Sequence, residues 1–157
     1  MGQRYQVVFL ALEFIDCPVV LFLRKQNTLN KSEHIKYWKV TAADDWRAVQ
    51  QLFKGRNYIQ SLFFAHLVLE KLLKAYWVKD NVSNHPPKTP NLILLNKQTK
   101  LNLSETDLQF LASMNDFQLE GRYPDYSNKL FKTYKLKQTK EVLIKIEDLG
   151  KCLLKNL

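Results

Sequence analysis

At 157 residues and 18.6 kDa the chain is long enough for one ordinary domain and short for two. Its 46% hydrophobic and 25% charged residues are those of a globular protein, and 4 glycines with 5 prolines exclude collagen-like and low-complexity architectures. A net charge of +9 and a pI near 9.5 point to anionic partners: nucleic acid, a nucleotide, an acidic protein or an anionic membrane surface.

Residues 7–23 (VVFLALEFIDCPVVLFL) are strongly apolar, but Glu13, Asp16 and Pro18 interrupt them. A spanning helix needs about twenty mostly apolar residues, and each acid near its centre costs about 2.5–3.5 kcal/mol. The small-x-small cleavage site of a signal peptide does not follow either. No membrane segment is therefore expected. Residues 1–34 read as an apolar N-terminal extension, either packed on the main body or upstream of the natural start, and residues 35–157 as the folded domain. Cys17 and Cys152 form no CxxC and no repeated spacing. That indicates two buried thiols in a reducing compartment, the cytoplasm, rather than a disulfide framework or a zinc site.

From Ser32 onward the pattern is helical. In residues 35–55, Trp38, Ala42, Trp46, Val49 and Phe53 recur in steps of three and four and share one face, and Gly55 with Arg56 and Asn57 makes the expected C-cap and turn. Residues 58–80 are apolar over most of their circumference: Leu62, Ala65, Leu69, Leu72 and Tyr76 form a stripe that Phe63, Phe64, Val68, Leu73 and Trp77 widen. Such a helix belongs at the centre of a bundle or is shared with a subunit interface. Glu70 and Lys74 stand four apart in the order that favours an ion pair. The Pro- and Asn-rich residues 81–90 break the chain, and residues 91–96 predict a short helix. Ser104 with Asp107 resembles a capping box. It opens a helix carrying Leu108, Leu111, Ala112, Met114 or Asn115, and Leu119, which Gly121 ends. Residues 123–138 read as a connection, and Thr139 as the cap of a last helix with Val142, Leu143, Ile146, Leu149, Leu153 and Leu154 on one face. The prediction is an all-α, up-and-down four-helix bundle with an additional short helix.

The chemistry-bearing motifs for nucleoside triphosphates, dinucleotides, zinc proteases and serine hydrolases are absent. His34, His66 and His85 are scattered, so no metal site and no cofactor are expected. His66 and Glu70 fall four apart, the geometry of a helix ligand or acid/base pair, and the expectation here is the alternative, a surface or interface hydrogen bond. The segment that stands out is residues 120–126 (EGRYPDY), followed by Asn128 and Lys129. Arg122 offers a planar fork suited to phosphate, Tyr123 and Tyr126 offer stacking faces, and Pro124 holds the turn. The alternative is an Arg122–Asp125 pair that pins the loop to the bundle.

Residues 58–75 (YIQSLFFAHLVLEKLLKA) resemble the A-x-E-K-x-L-K-A helix of the HEPN domain, the higher-eukaryote and prokaryote nucleotide-binding family. PPKTP at 86–90, followed by Leu92 and Leu95, is similar to that family's loop before its short third helix, and Arg122-Tyr123-Pro124-Asp125 resembles its RYPD signature. The resemblance spans residues 35–157. It implies a homodimeric helical bundle paired with a small nucleotidyltransferase in a toxin–antitoxin-like system. Many members cleave RNA without metal through an Arg-x(4–6)-His motif, whose histidine acts as acid or base and whose arginine holds the phosphate.

Here the residue six after Arg122 is Asn128, no histidine follows His85, and Pro90 stands where the family often carries histidine. An asparagine accepts no proton at neutral pH. The expectation is thus a non-catalytic, cytoplasmic HEPN-type module with no catalytic residues. It would bind a nucleotide or RNA phosphate through Arg122, Tyr123, Asp125 and Asn128, with positive potential from Lys71 and Lys74. Two alternatives stand beside it: a metal-independent RNA-cleaving toxin with an atypical active site, and a structural dimer that neutralises an acidic partner.

Overall fold

The computed structural model describes residues 30–123 and 129–157. The apolar residues 7–23, Cys17 and residues 124–128 lie outside them. Among the described residues there are six helices and no strand: α1 (Lys31–Lys54), α2 (Tyr58–Asp80), α3 (Leu92–Lys97), α4 (Glu105–Glu120), α5 (Lys129–Thr133) and α6 (Leu136–Lys155). The all-α bundle predicted from apolar spacing is what forms.

The breadth of the apolar surface of α2 decides the architecture. Leu62, Ala65, Leu69 and Leu73 are completely enclosed, and Leu72 and Tyr76 nearly so. No single neighbour can cover such a helix, so α1, α3, α4, α5 and α6 all pack against it. The Tyr76 hydroxyl donates to the Leu153 carbonyl of α6 at 2.9 Å, and the Ser61 hydroxyl donates to the Val49 carbonyl of α1 at 3.0 Å. Each bond satisfies a buried polar group while fixing one flanking helix on the central one.

Gly55, Arg56 and Asn57 make the expected cap and turn after α1, with the left-handed place taken by a residue other than the glycine. Gly55 has no positive φ, and Arg56 takes the left-handed conformation at φ 60°. The Arg56 amide bonds to the Phe53 carbonyl and the Asn57 amide to the Leu52 carbonyl, the paired bonds of a Schellman motif with Arg56 where glycine is usual. Arg56→Gly is therefore expected to stabilise the fold by about 0.5–1 kcal/mol, because it removes a Cβ from left-handed backbone at an exposed site. A thermal melt checks this; a lower melting temperature would show that the arginine side chain outweighs the strain.

Ser104 caps α4 as expected. The Ser104 hydroxyl accepts from the Asp107 amide at 3.2 Å and donates to its carboxylate at 2.6 Å. The buried face of α4 is Phe110, Leu111, Met114 and Phe117, whereas Ala112 and Leu119 are exposed. Leu119 lies five residues beyond Met114, too far round the helix to share its face. Residues 123–138 are not a plain connection. With no proline after Pro124 to stop it, the chain takes helical turns in α5 and starts α6 at Leu136. Thr139 is buried inside the first turn of α6 and caps nothing. Cys152 is exposed on α6, not buried.

Among the described residues no helix is long and apolar enough to cross a membrane, and no cluster of three or more histidine, cysteine or acidic side chains could hold a metal ion.

Candidate phosphate-binding site

Residues 63, 66, 70 and 74 repeat at three and four, so Phe63, His66, Glu70 and Lys74 share one side of α2. The C-terminal end of α4 reaches this side, and its last turn is held there by glycine. A Cβ on Gly121 would lie 2.8 Å from the Phe117 carbonyl oxygen and 2.8–2.9 Å from Cδ2 and Cβ of Phe63. Gly121 has ordinary right-handed backbone, so it is needed for close approach and not for its conformational range. This contact brings Arg122 over the Phe63 ring, with the guanidinium carbon 5.9 Å from the ring centroid.

Arg122 is exposed and makes no ion pair among the described residues. Tyr123, beside it, is 74% exposed, an unusual position for a large aromatic ring. Asp125 and Asn128, the other two candidates in this segment, lie outside the described residues.

The two candidate lysines are already engaged. The Lys74 ammonium sits 2.6 Å from the Glu70 carboxylate and 5.3 Å from the centroid of the Trp38 ring. The Lys71 ammonium sits 2.6 Å from the Asp45 carboxylate and donates to the Thr41 carbonyl at 3.2 Å. Both lysines face α1, and an acid offsets each charge. Arg122 and Tyr123 are thus brought together, and Lys71 is directed elsewhere.

His66 occupies a place that spacing alone did not indicate. Its ring is completely buried, and Nε2 lies 3.0 Å from the Pro90 carbonyl oxygen. A carbonyl only accepts, so Nε2 carries the proton and donates. In the neutral ring Nδ1 is then a bare acceptor. It has no hydrogen-bond partner among the described residues, and Glu70 Oε2 at 4.0 Å is beyond bonding distance. The expected surface bond to Glu70 is replaced by an interior bond to the loop before α3.

Burial lowers the proton affinity of His66 below its ordinary value, and the positive charge of Arg122 adds to that. Glu70, the Pro90 carbonyl and Asn115 oppose it without reversing it. Asn115 also joins two elements, since its side-chain oxygen accepts from the Leu92 amide at 3.1 Å and so ties the start of α3 to α4. His85 packs edge-on against His34 with centroids 5.7 Å apart.

A family model for the HEPN domain matches residues 35–154, more than three quarters of the chain. The chain belongs to the HEPN family. No curated protein and no solved structure matches it. HEPN membership connects the chain with nucleotide- or RNA-related function, and the Arg122–Tyr123 corner falls inside the matched span.

Proposed function

We propose that this HEPN protein is a non-catalytic phosphate-binding module. Arg122 contacts a phosphate of a nucleotide or RNA and Tyr123 stacks on the adjoining base. The module acts in the cytoplasm as a homodimer paired with a small nucleotidyltransferase, in a toxin–antitoxin-like arrangement. The observation that carries the reading is an exposed guanidinium backed by Phe63, without an acidic partner among the described residues, beside a solvent-facing tyrosine. An arginine so placed is pre-oriented and meets no acid among the described residues, which suits bidentate phosphate recognition. The Glu70–Lys74 pair supplies no net charge of its own, so the affinity rests on Arg122 and on the +9 field of the whole chain.

RNA cleavage is the second reading, and the placement of His66 weighs against it. An enclosed imidazole whose N–H is held by a backbone carbonyl does not meet a ribose hydroxyl at the surface.

Labelled single-stranded RNA titrated in EDTA separates the two. Arg122→Ala is expected to weaken binding at least about tenfold and to lower the salt slope by about one, with the RNA left intact. Arg122-dependent cleavage would establish the enzyme reading instead, and unchanged binding would place the contact elsewhere.

A further inference from the structure

The other side of α2 carries a second feature. Val68 and Leu72 lie roughly 160° round the helix axis from His66 and Glu70. They floor a groove of about 630 Å³ bounded by α1 on one wall and α6 on the other. A smaller hollow of about 290 Å³ continues it between the same two helices, and Trp46 and Glu147 line both. Together they make one slot along α1 from Ser32 to Lys54 and along α6 from Lys140 to Leu154, about 20–30 Å at 1.5 Å per residue.

Three of the large apolar side chains left in water stand on its lips: Val40 at 51% exposure, Ile144 at 50% and Leu154 at 44%. Exposed apolar residues gathered along one groove mark an interaction surface, unlike the same residues scattered singly. The polar part of the lining is one-sided. Lys36, Lys39, Lys54, Lys140 and Lys151 line the slot against a single acid, Glu147, which pairs with Lys151 at 2.8 Å.

We infer that this slot receives an amphipathic helix with acidic flanks from a partner protein. Its apolar face lies on Val68, Leu72 and Trp46, and its acids meet Lys36 and Lys39. The length suits a helix of several turns, and the apolar floor between two helical walls is the kind of groove that takes an amphipathic helix. A small apolar ligand would leave the lips in water. A second copy of this chain, carrying the same +9 charge, would set lysines against lysines. The inference does not depend on the Arg122 reading, since the two surfaces lie on opposite sides of α2, and an occupied slot leaves Arg122 open.

Two labelled synthetic helical peptides test it on the full chain. Both carry the same apolar i, i+3, i+4, i+7 spacing, one with glutamate flanks and the other with lysine flanks. The glutamate peptide should bind at least about tenfold more tightly, and the paired change Lys36→Glu with Lys39→Glu should reverse the preference. Ala43→Trp fills the slot from an exposed position on α1. It should remove the glutamate peptide's binding while leaving the circular dichroism spectrum and RNA binding as they are. Equal binding of both peptides, binding of neither, or binding indifferent to Ala43→Trp overturns the inference. So does self-association that Ala43→Trp abolishes, which would assign the slot to a second copy.

Discussion

Gly121→Val is expected to lower stability by about 2–3 kcal/mol, a fall of roughly 4–12 °C in melting temperature for a chain of this size. The reason lies in what the new atoms would meet. One neighbour is the Phe117 carbonyl oxygen, which is backbone within α4, and another is the Cβ of Phe63, which is fixed by α2. Neither is the far end of a flexible side chain, so α4 itself would have to move. Gly121→Ala meets the same atoms with less volume and should cost about half as much. Because Phe63 supports the Arg122 guanidinium, the displacement also reaches the proposed binding corner. RNA affinity should then fall together with stability, although residue 121 touches no ligand. Thermal melts beside RNA titrations measure both, and an unchanged melting temperature would mean that α4 does not end against Phe63.

His66→Leu removes the donor to the Pro90 carbonyl from a fully enclosed site and should cost about 1–3 kcal/mol. His66→Gln, which keeps an N–H donor, should cost less. The same residue sets an acid sensitivity. In the unfolded chain the imidazole takes a proton near its ordinary value of 6.5, whereas in the folded protein burial holds it lower. Between those two values the unfolded state binds more protons, so stability falls as the pH drops below about 6.5 towards the lowered native value, and is complete above it. Melting temperatures of the wild type and His66→Gln between about pH 7.5 and 5.5 isolate this contribution from carboxylates that titrate lower. The wild type should lose more than the variant over that range. Parallel profiles would show that the buried ring is not kept neutral by the fold.

What could be read in the sequence follows from how local each signal is. The long helices were legible because their apolar residues recur at three and four, and a buried helix such as α2 imposes that period on ten positions at once. The Ser104 cap on the Asp107 amide is a contact between residues three apart, so it too could be read directly. The left-handed Arg56 was not, since Gly55 next to it adopts that conformation more easily and no local pattern assigns it to an arginine. Helix α5 escaped because five residues with no buried side chain carry no periodic signal. At the candidate site, Arg122 and Tyr123 were singled out by composition and by their place at a Gly/Pro break. The acids that hold Lys71 and Lys74 differ in the same way: Glu70 could be read at four residues' distance, while Asp45 comes from another helix. The bond from His66 to Pro90 spans 24 residues and ends on a backbone carbonyl, which no side-chain pattern encodes.

The arrangement in which α1 and α6 each pack on α2 with little between them has a consequence for how the protein opens. Cooperative units of partial unfolding follow contiguous packing. Either flanking helix can peel away without dragging the other, whereas loosening α2 dismantles everything attached to it. Amide hydrogen exchange should accordingly resolve at least two separate openings at the flanks, below a single slow class in the interior of α2. A helix seated in the slot would bridge α1 and α6, merging those two openings into one and slowing exchange far from its own contacts.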